Sequence, residues 1–204
     1  MLDGDASLRR RSSKELWASI EQAGVTLSVG MGQERLPALL EGPMSQSNLE
    51  AGIHLDISRS SQPLSAWILA TPSLPCTTTI SLEGDAVSSR HSALSKTMLK
   101  LFGGDLKEES NQLKLTPEKL TPPEVYEIPG DASMAAFSLL ACCGLNRKVK
   151  LHGWPDMANA VGHELLESSS TELGVKWESG LLSSQLSVIP VNLDLRDAND
   201  LLPP

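Results

Sequence analysis

Three observations predict an α/β (α+β) chain built from a repeated βαβαββ unit. First, 40% of the 204 residues are apolar but only 3% are aromatic, so a core has to come mainly from Leu, Val, Ile and Ala, which pack helices onto sheets. Second, short alternating apolar stretches recur between longer stretches of helical spacing. Third, Ala66-Trp67 set against Ala136-Phe137, and Gly84 against Gly153, gives a self-similarity of roughly 70 residues, too long for a solenoid repeat.

The elements follow in order. Ser12-Ser13-Lys14-Glu15 is a capping-box pattern, and Leu16, Trp17, Ile20 and Ala23 follow at helical spacing before Gly24, which predicts a first helix. Residues 25–29 and 36–40 read as strands about a turn at Gly30-Met31-Gly32, and 43–48 as a polar loop. A strand is expected at 53–57, then a helix from Ser60-Ser61-Gln62-Pro63, then a β-branched alternating strand at 76–82 ending at Gly84-Asp85. Ser88-Ser89-Arg90-His91 opens a second helix carrying Leu94, Met98, Leu101 and Phe102 on one face, with Gly103-Gly104 as its stop. Short strands at 105–108 and 112–115 lead to a loop at 116–123 that holds three prolines.

The pattern then returns. A strand at 125–128, a turn at Pro129-Gly130-Asp131, a helix over 132–143, a strand at 148–151, a helix over 157–168 and strands near Val175-Lys176-Trp177 and 185–189 make the second copy. The first helix and two strands read as the tail of an earlier copy. The last residues, Leu201-Leu202-Pro203-Pro204, stand where another helix is expected, so periodicity predicts a chain incomplete at both ends.

Composition narrows the function. A net charge of −8 and a pI near 5.0 argue against a general nucleic-acid binder, whose affinity comes from Lys and Arg on phosphates. Cys76, Cys142 and Cys143 are odd in number and two are adjacent, which predicts buried thiols in a reducing cytoplasm rather than a disulfide framework. The N-terminus is polar and charged and no apolar run approaches a membrane span, so neither a signal peptide nor a membrane partner is expected. His54, His91, His152 and His163 show no ligand spacing, and no metal is expected.

One stretch suggests a ligand. In Ser60-Ser61-Gln62-Pro63-Leu64 two hydroxyl residues lead into Pro and an apolar run, the order of an N-cap before a first-turn Pro. Such a helix start presents N–H groups and the positive end of the macrodipole, so it can seat an anion such as phosphate. A Ser-capped core helix that binds nothing is the plainer reading. The one dense cationic cluster, Arg9-Arg10-Arg11, is by itself more often a solvated turn than a site.

Gly4-Asp5 with Leu8 to Arg11, Ser60-Ser61-Gln62 with Leu64-Ser65-Ala66, Val87-Ser88 leading to Phe102-Gly103, and Gly130-Asp131-Ala132-Ser133 together resemble the 3-phosphoshikimate 1-carboxyvinyltransferases (EPSP synthases). The resemblance spans the whole chain but only about the middle half of a family member. It implies two lobes of βαβαββ units with helices inside and sheets outside, both partial here. Residues 1–127 would belong to the N-terminal lobe, which binds shikimate 3-phosphate, and 128–204 to the C-terminal lobe.

The implied reaction moves the enolpyruvyl group of phosphoenolpyruvate to the 5-hydroxyl of shikimate 3-phosphate and releases phosphate, with no cofactor. By position Ser60, Ser61 and Ser88 would donate hydrogen bonds to shikimate 3-phosphate, Gln62 would reach both substrates, and His91 stands where many members have Tyr beside the shikimate ring. Arg11 falls on the arginine that clamps phosphoenolpyruvate. The family usually has Pro after it where this chain has Ser12, so the choice among Arg9, Arg10 and Arg11 rests on the spacing from Gly4-Asp5. Asp200 aligns with the general base, while Asp194 and Asp197 read as structural or solvated. The partners expected are these two small molecules, with the chain a monomer. The family's other substrate-holding residues have no counterpart between residues 1 and 204, which predicts little or no activity for the chain alone. The related UDP-N-acetylglucosamine enolpyruvyl transferase and a non-catalytic binding fragment are the rival readings.

Overall fold

The computed structural model describes residues 1–29, 35–85, 89–128, 130–154, 162–178 and 180–184. The chain divides into two compact units. The first takes Met1–Val87 and Met98–Pro122, the second Ser88–Thr97 and Pro123–Pro204.

In the first unit the opening residues pair as a bridge between Leu2 and Ala38 and make a 3-10 turn at Leu8–Arg10. Helix α1 (Lys14–Gln22) follows, then the antiparallel pair β1 (Thr26–Val29) and β2 (Ala38–Glu41). The expected loop at 43–48 instead runs into a helix, α2 (Gln46–Ala51), because the Ser45 hydroxyl caps the Asn48 N–H and Leu49 is buried at its centre. The main sheet has the order β3-β4-β6-β5, from β3 (Ile53–Asp56), β4 (Thr78–Glu83), β5 (Asp105–Glu109) and β6 (Gln112–Thr116). β3 and β4 are parallel and therefore need a crossover, which α3 (Gln62–Ala70) supplies. β6 runs antiparallel to both β4 and β5, so β5 is parallel to β4, and α4 (Ser89–Leu101) makes that second crossover. This is the βαβαββ order predicted.

Alternation decides which face is buried. Ile53 and Leu55 of β3, Ile80 of β4 and Leu113 and Leu115 of β6 point to one side and meet Leu64, Trp67 and Ile68 of α3 in a single core. Burying a side chain such as Leu113 completely is worth about 1.5–3 kcal/mol. α4 crosses the division between units: Leu99 belongs to this first core, while residues 89–97 group with the second unit.

The second unit repeats the scheme with α5 (Ala132–Leu145), β7 (Val149–Lys150), α6 (His163–Glu172), β8 (Val175–Glu178) and β9 (Leu181–Ser184). Its sheet order, β7-β9-β8 with both pairs antiparallel, matches β4-β6-β5 strand for strand. Ala132, Ala135, Ala136, Leu139 and Cys142 of α5 pack with Leu166, Val175 and Leu182. Several expectations need correction here. No strand forms at 125–128, where Val125 and Ile128 are 83% and 82% exposed; the β-branched ends suit a strand, but among the described residues no strand pairs with this stretch. β7 is two residues rather than four, and a strand at Leu181–Ser184 was not foreseen. The helix expected over 157–168 is described from His163 and extends to Glu172. The strand expected at 185–189 lies outside the described residues.

Candidate functional site

Three of the predicted residues in the first unit, Ser60, Ser61 and Gln62, stand at the start of α3. β3 ends at Asp56, whose carboxylate accepts the Ser58 N–H at 2.8 Å, closing a tight turn. That turn is seated by Gly84 at the end of β4: its φ is +80°, and a Cβ there would stand 2.8 Å from the Ser58 Cβ, so only glycine fits. The chain then enters the helix with the Ser60 hydroxyl accepting the Gln62 N–H at 3.2 Å. Ser61 is the N-cap residue and only 2% exposed, Ser60 is half-buried and Gln62 exposed. Pro63 has no N–H, and the Gln62 N–H is already held by Ser60. The helix start keeps the positive end of its dipole but offers fewer amides than its sequence suggests. One turn in, the Ser65 hydroxyl is buried with no hydrogen-bond partner.

Two contacts fix α3 against α1. The Trp67 indole N–H donates to the Ser19 hydroxyl at 2.9 Å in the core, and Ser19 in turn donates to the Leu16 carbonyl at 2.7 Å. At the helix starts, the Arg59 guanidinium lies 3.6 Å from the Glu15 carboxylate. Because Glu15 meets Arg59 and Ser19 meets Trp67, the two helices run in the same sense and begin side by side. The Gln22 side chain then closes the far end of α1 onto β3, donating to the His54 carbonyl at 2.9 Å and accepting its N–H at 2.8 Å.

The arginine cluster is partly committed. Arg9 grips Asp3 with two nitrogens, at 2.8 and 2.5 Å. The turn carrying it is capped by Asp5, which accepts from the Ser7 and Leu8 N–H groups, and Gly4 is required because a Cβ there would come 2.7 Å from that of Leu8. Arg11 is exposed, on extended backbone just before α1. It therefore sits on the segment leading into the helix that flanks α3.

Of the remaining predicted residues, His91 is half-buried in the first turn of α4, within the stretch that groups with the second unit. Its backbone carbonyl accepts from the Ser95 hydroxyl at 3.0 Å. Ser88, Asp194, Asp197 and Asp200 lie outside the described residues. Arg59 was missed by sequence reasoning. A search for runs of basic residues passes over a lone arginine, although its place immediately before Ser60 was the available signal.

The second unit carries a matching corner. The Asp131 carboxylate accepts from the Ser133 N–H and hydroxyl at 2.8 and 2.7 Å, just as Ser60 accepts two residues ahead. The Ser133 hydroxyl holds the Asp131 carboxyl below the usual carboxylate range. His163, buried at the start of α6, bonds the Gly130 carbonyl through Nε2 at 2.8 Å and packs its ring on Trp154.

Among the described residues no cluster of His, Cys, Asp and Glu is placed to hold a metal ion, and no helix is long and apolar enough to cross a membrane. Chemically, a helix start with two serines, a glutamine amide and a neighbouring guanidinium can hold an oxyanion.

Comparison with known proteins gives a consistent picture. The family model for EPSP synthase (3-phosphoshikimate 1-carboxyvinyltransferase) matches residues 1–204. A 3-phosphoshikimate 1-carboxyvinyltransferase of Idiomarina loihiensis is 28% identical over 98% of this chain and 47% of its own. That of Citrobacter koseri is 30% identical over 75% of this chain and 35% of its own. In structure, the EPSP synthase of Acinetobacter baumannii superposes with a TM-score of 0.62 at 19% identity, covering 97% of this chain and 46% of the other. The chain thus spans at most about half the length of the relatives it matches.

Proposed function

This chain belongs to the EPSP synthase family, and we propose that it supplies the shikimate 3-phosphate-binding part of an enzyme that transfers the enolpyruvyl group of phosphoenolpyruvate to the acceptor's 5-hydroxyl. The observation that carries the reading is the start of α3, where Ser60, Ser61 and Gln62 stand on a corner fixed by Gly84 and by α1. In this reading residues 1–127 come from the acceptor-binding lobe and 128–204 from the other lobe. Ser60, Ser61 and Ser88 hold the acceptor's phosphate, Gln62 spans the two substrates and His91 lines the ring. Arg11 holds phosphoenolpyruvate.

The chemistry needs a base for the attacking hydroxyl. Asp200, as a carboxylate, takes that proton as the hydroxyl oxygen bonds to C2 of the enol phosphate, while C3 takes up a proton and becomes a methyl group. Departure of phosphate from C2 with loss of a proton from that methyl group re-forms the double bond, now an enol ether, and completes the transfer. The enzyme works in the cytoplasm as a monomer on these two small molecules; the free thiols at Cys76, Cys142 and Cys143 support that compartment. Burial raises the two α5 thiols above the ordinary range, so they remain protonated and inert.

Titration calorimetry of the 204-residue chain with shikimate 3-phosphate and, separately, with UDP-N-acetylglucosamine tests the assignment. Shikimate 3-phosphate is expected to bind, and Ser60→Ala to weaken it by about tenfold, the loss of one charge-assisted hydrogen bond. Binding of the nucleotide sugar instead, or an unchanged affinity in Ser60→Ala, overturns it.

A further inference from the structure

We infer that Arg59, whose guanidinium rests against Glu15, is an anion-binding residue of the α3 start that turns onto the ligand's phosphate. The inference rests on the shikimate 3-phosphate reading above and adds to it a cation outside the residues already assigned.

Four observations lead there. Arg59 immediately precedes Ser60, so its side chain springs from the turn that carries the seat. Its side chain is 67% exposed, and its contact with Glu15, at 3.6 Å, is longer than a hydrogen bond. Glu15 is the more confined partner, at 12% exposure, on the first turn of a helix that begins beside α3. Finally, the seat is short of donors, because Pro63 has no N–H and Ser60 already holds that of Gln62. A phosphate therefore needs a side-chain donor, and Arg59 is the cation carried on this turn.

The surrounding charges set the balance. Asp56, whose carboxyl is held low first by Ser58 and only lastly by the charge of Arg59, and Glu15 both face this guanidinium. An oxyanion arriving at Ser60 would be repelled by both carboxylates unless Arg59 stood between. A guanidinium offers phosphate two parallel N–H donors, a better fit than the long contact with Glu15. Arg59 thus exchanges one carboxylate partner for a phosphate, and Glu15 competes with the ligand for it.

That competition separates a binding role from a structural one. Shikimate 3-phosphate and, as a second probe, inorganic phosphate are titrated into the full chain as wild type, Arg59→Ala, Arg59→Lys and Glu15→Gln. The expected result is about tenfold weaker binding for Arg59→Ala with a flatter salt dependence, partial recovery in Arg59→Lys, and about two- to threefold tighter binding for Glu15→Gln, the release of one long ion pair. If Arg59→Ala binds like wild type while wild type binds well, this inference fails and the assignment of the seat stands. If Glu15→Gln and Arg59→Ala both weaken binding, the pair only holds α1 to α3 and the inference is overturned. Absence of binding by wild type overturns the inference and the underlying reading together.

Discussion

Asp131 shows how much a single side chain decides. Its carboxylate caps α5 through the Ser133 N–H, and the Ser133 hydroxyl, the largest cause, draws its pKa below the ordinary value. A carboxyl whose folded value is depressed stabilises the fold above its unfolded value, and that contribution is lost as pH falls through the folded one. With an unfolded value of about 3.9, the loss belongs to the range below about pH 4. Replacing Asp131 by Ala is expected to cost about 1 kcal/mol at neutral pH, and replacing it by Asn, which still caps, less. Both variants should show a shallower loss of stability in acid, followed by urea denaturation from pH 7 to pH 3. An unchanged acid limb would mean that the carboxylate contributes nothing to the fold. At this scale much was readable: the Gly-Asp-Ala-Ser and Ser-Ser-Gln-Pro helix starts are local patterns, and each forms where its capping residues predict. Arg59 was not readable, since its meaning depends on Glu15, which only the packing of α1 beside α3 brings near.

Among elements, the pairing of α1 with α3 matters most for the seat. Ser19 is fully buried between them, donating to Leu16 and accepting from Trp67. Ser19→Ala leaves the Trp67 indole N–H buried and unsatisfied, at a cost of about 1–3 kcal/mol. The expected outcome is a lower urea midpoint with an unchanged m-value, and a shift in Trp67 fluorescence; an unaltered midpoint would show that the bond contributes nothing. The main sheet was legible because β3, β4 and β6 each alternate apolar and polar residues, and a half-buried sheet needs that alternation. The failures share a cause. α2 is a six-residue helix with one buried side chain, Leu49, too short for a periodic signal. Residues 125–128 carry a strand-like pattern, but a strand exists only when another pairs with it, and local pattern does not report pairing. α5 posed no such difficulty, although Met134, Phe137, Leu140 and Leu145 leave its outer side apolar and exposed.

At the scale of the whole molecule, two units each bury their own core under a sheet, and β7-β9-β8 of the second repeats the order β4-β6-β5 of the first, the duplication that the spacing of Ala66-Trp67 and Ala136-Phe137 announced. The acidic chain, at −8, can hold an anion only where positive charge and helix dipole are gathered locally, and the corner from Arg59 to Leu64 meets that condition. Amide chemical-shift mapping of the 15N-labelled chain with shikimate 3-phosphate, and with shikimate as the phosphate-free control, tests this most directly. The account predicts saturable shifts concentrated at Arg59, Ser60, Ser61, Gln62 and Leu64 that shikimate does not reproduce. Shifts confined to other parts of the chain, or the same shifts from shikimate alone, would contradict it.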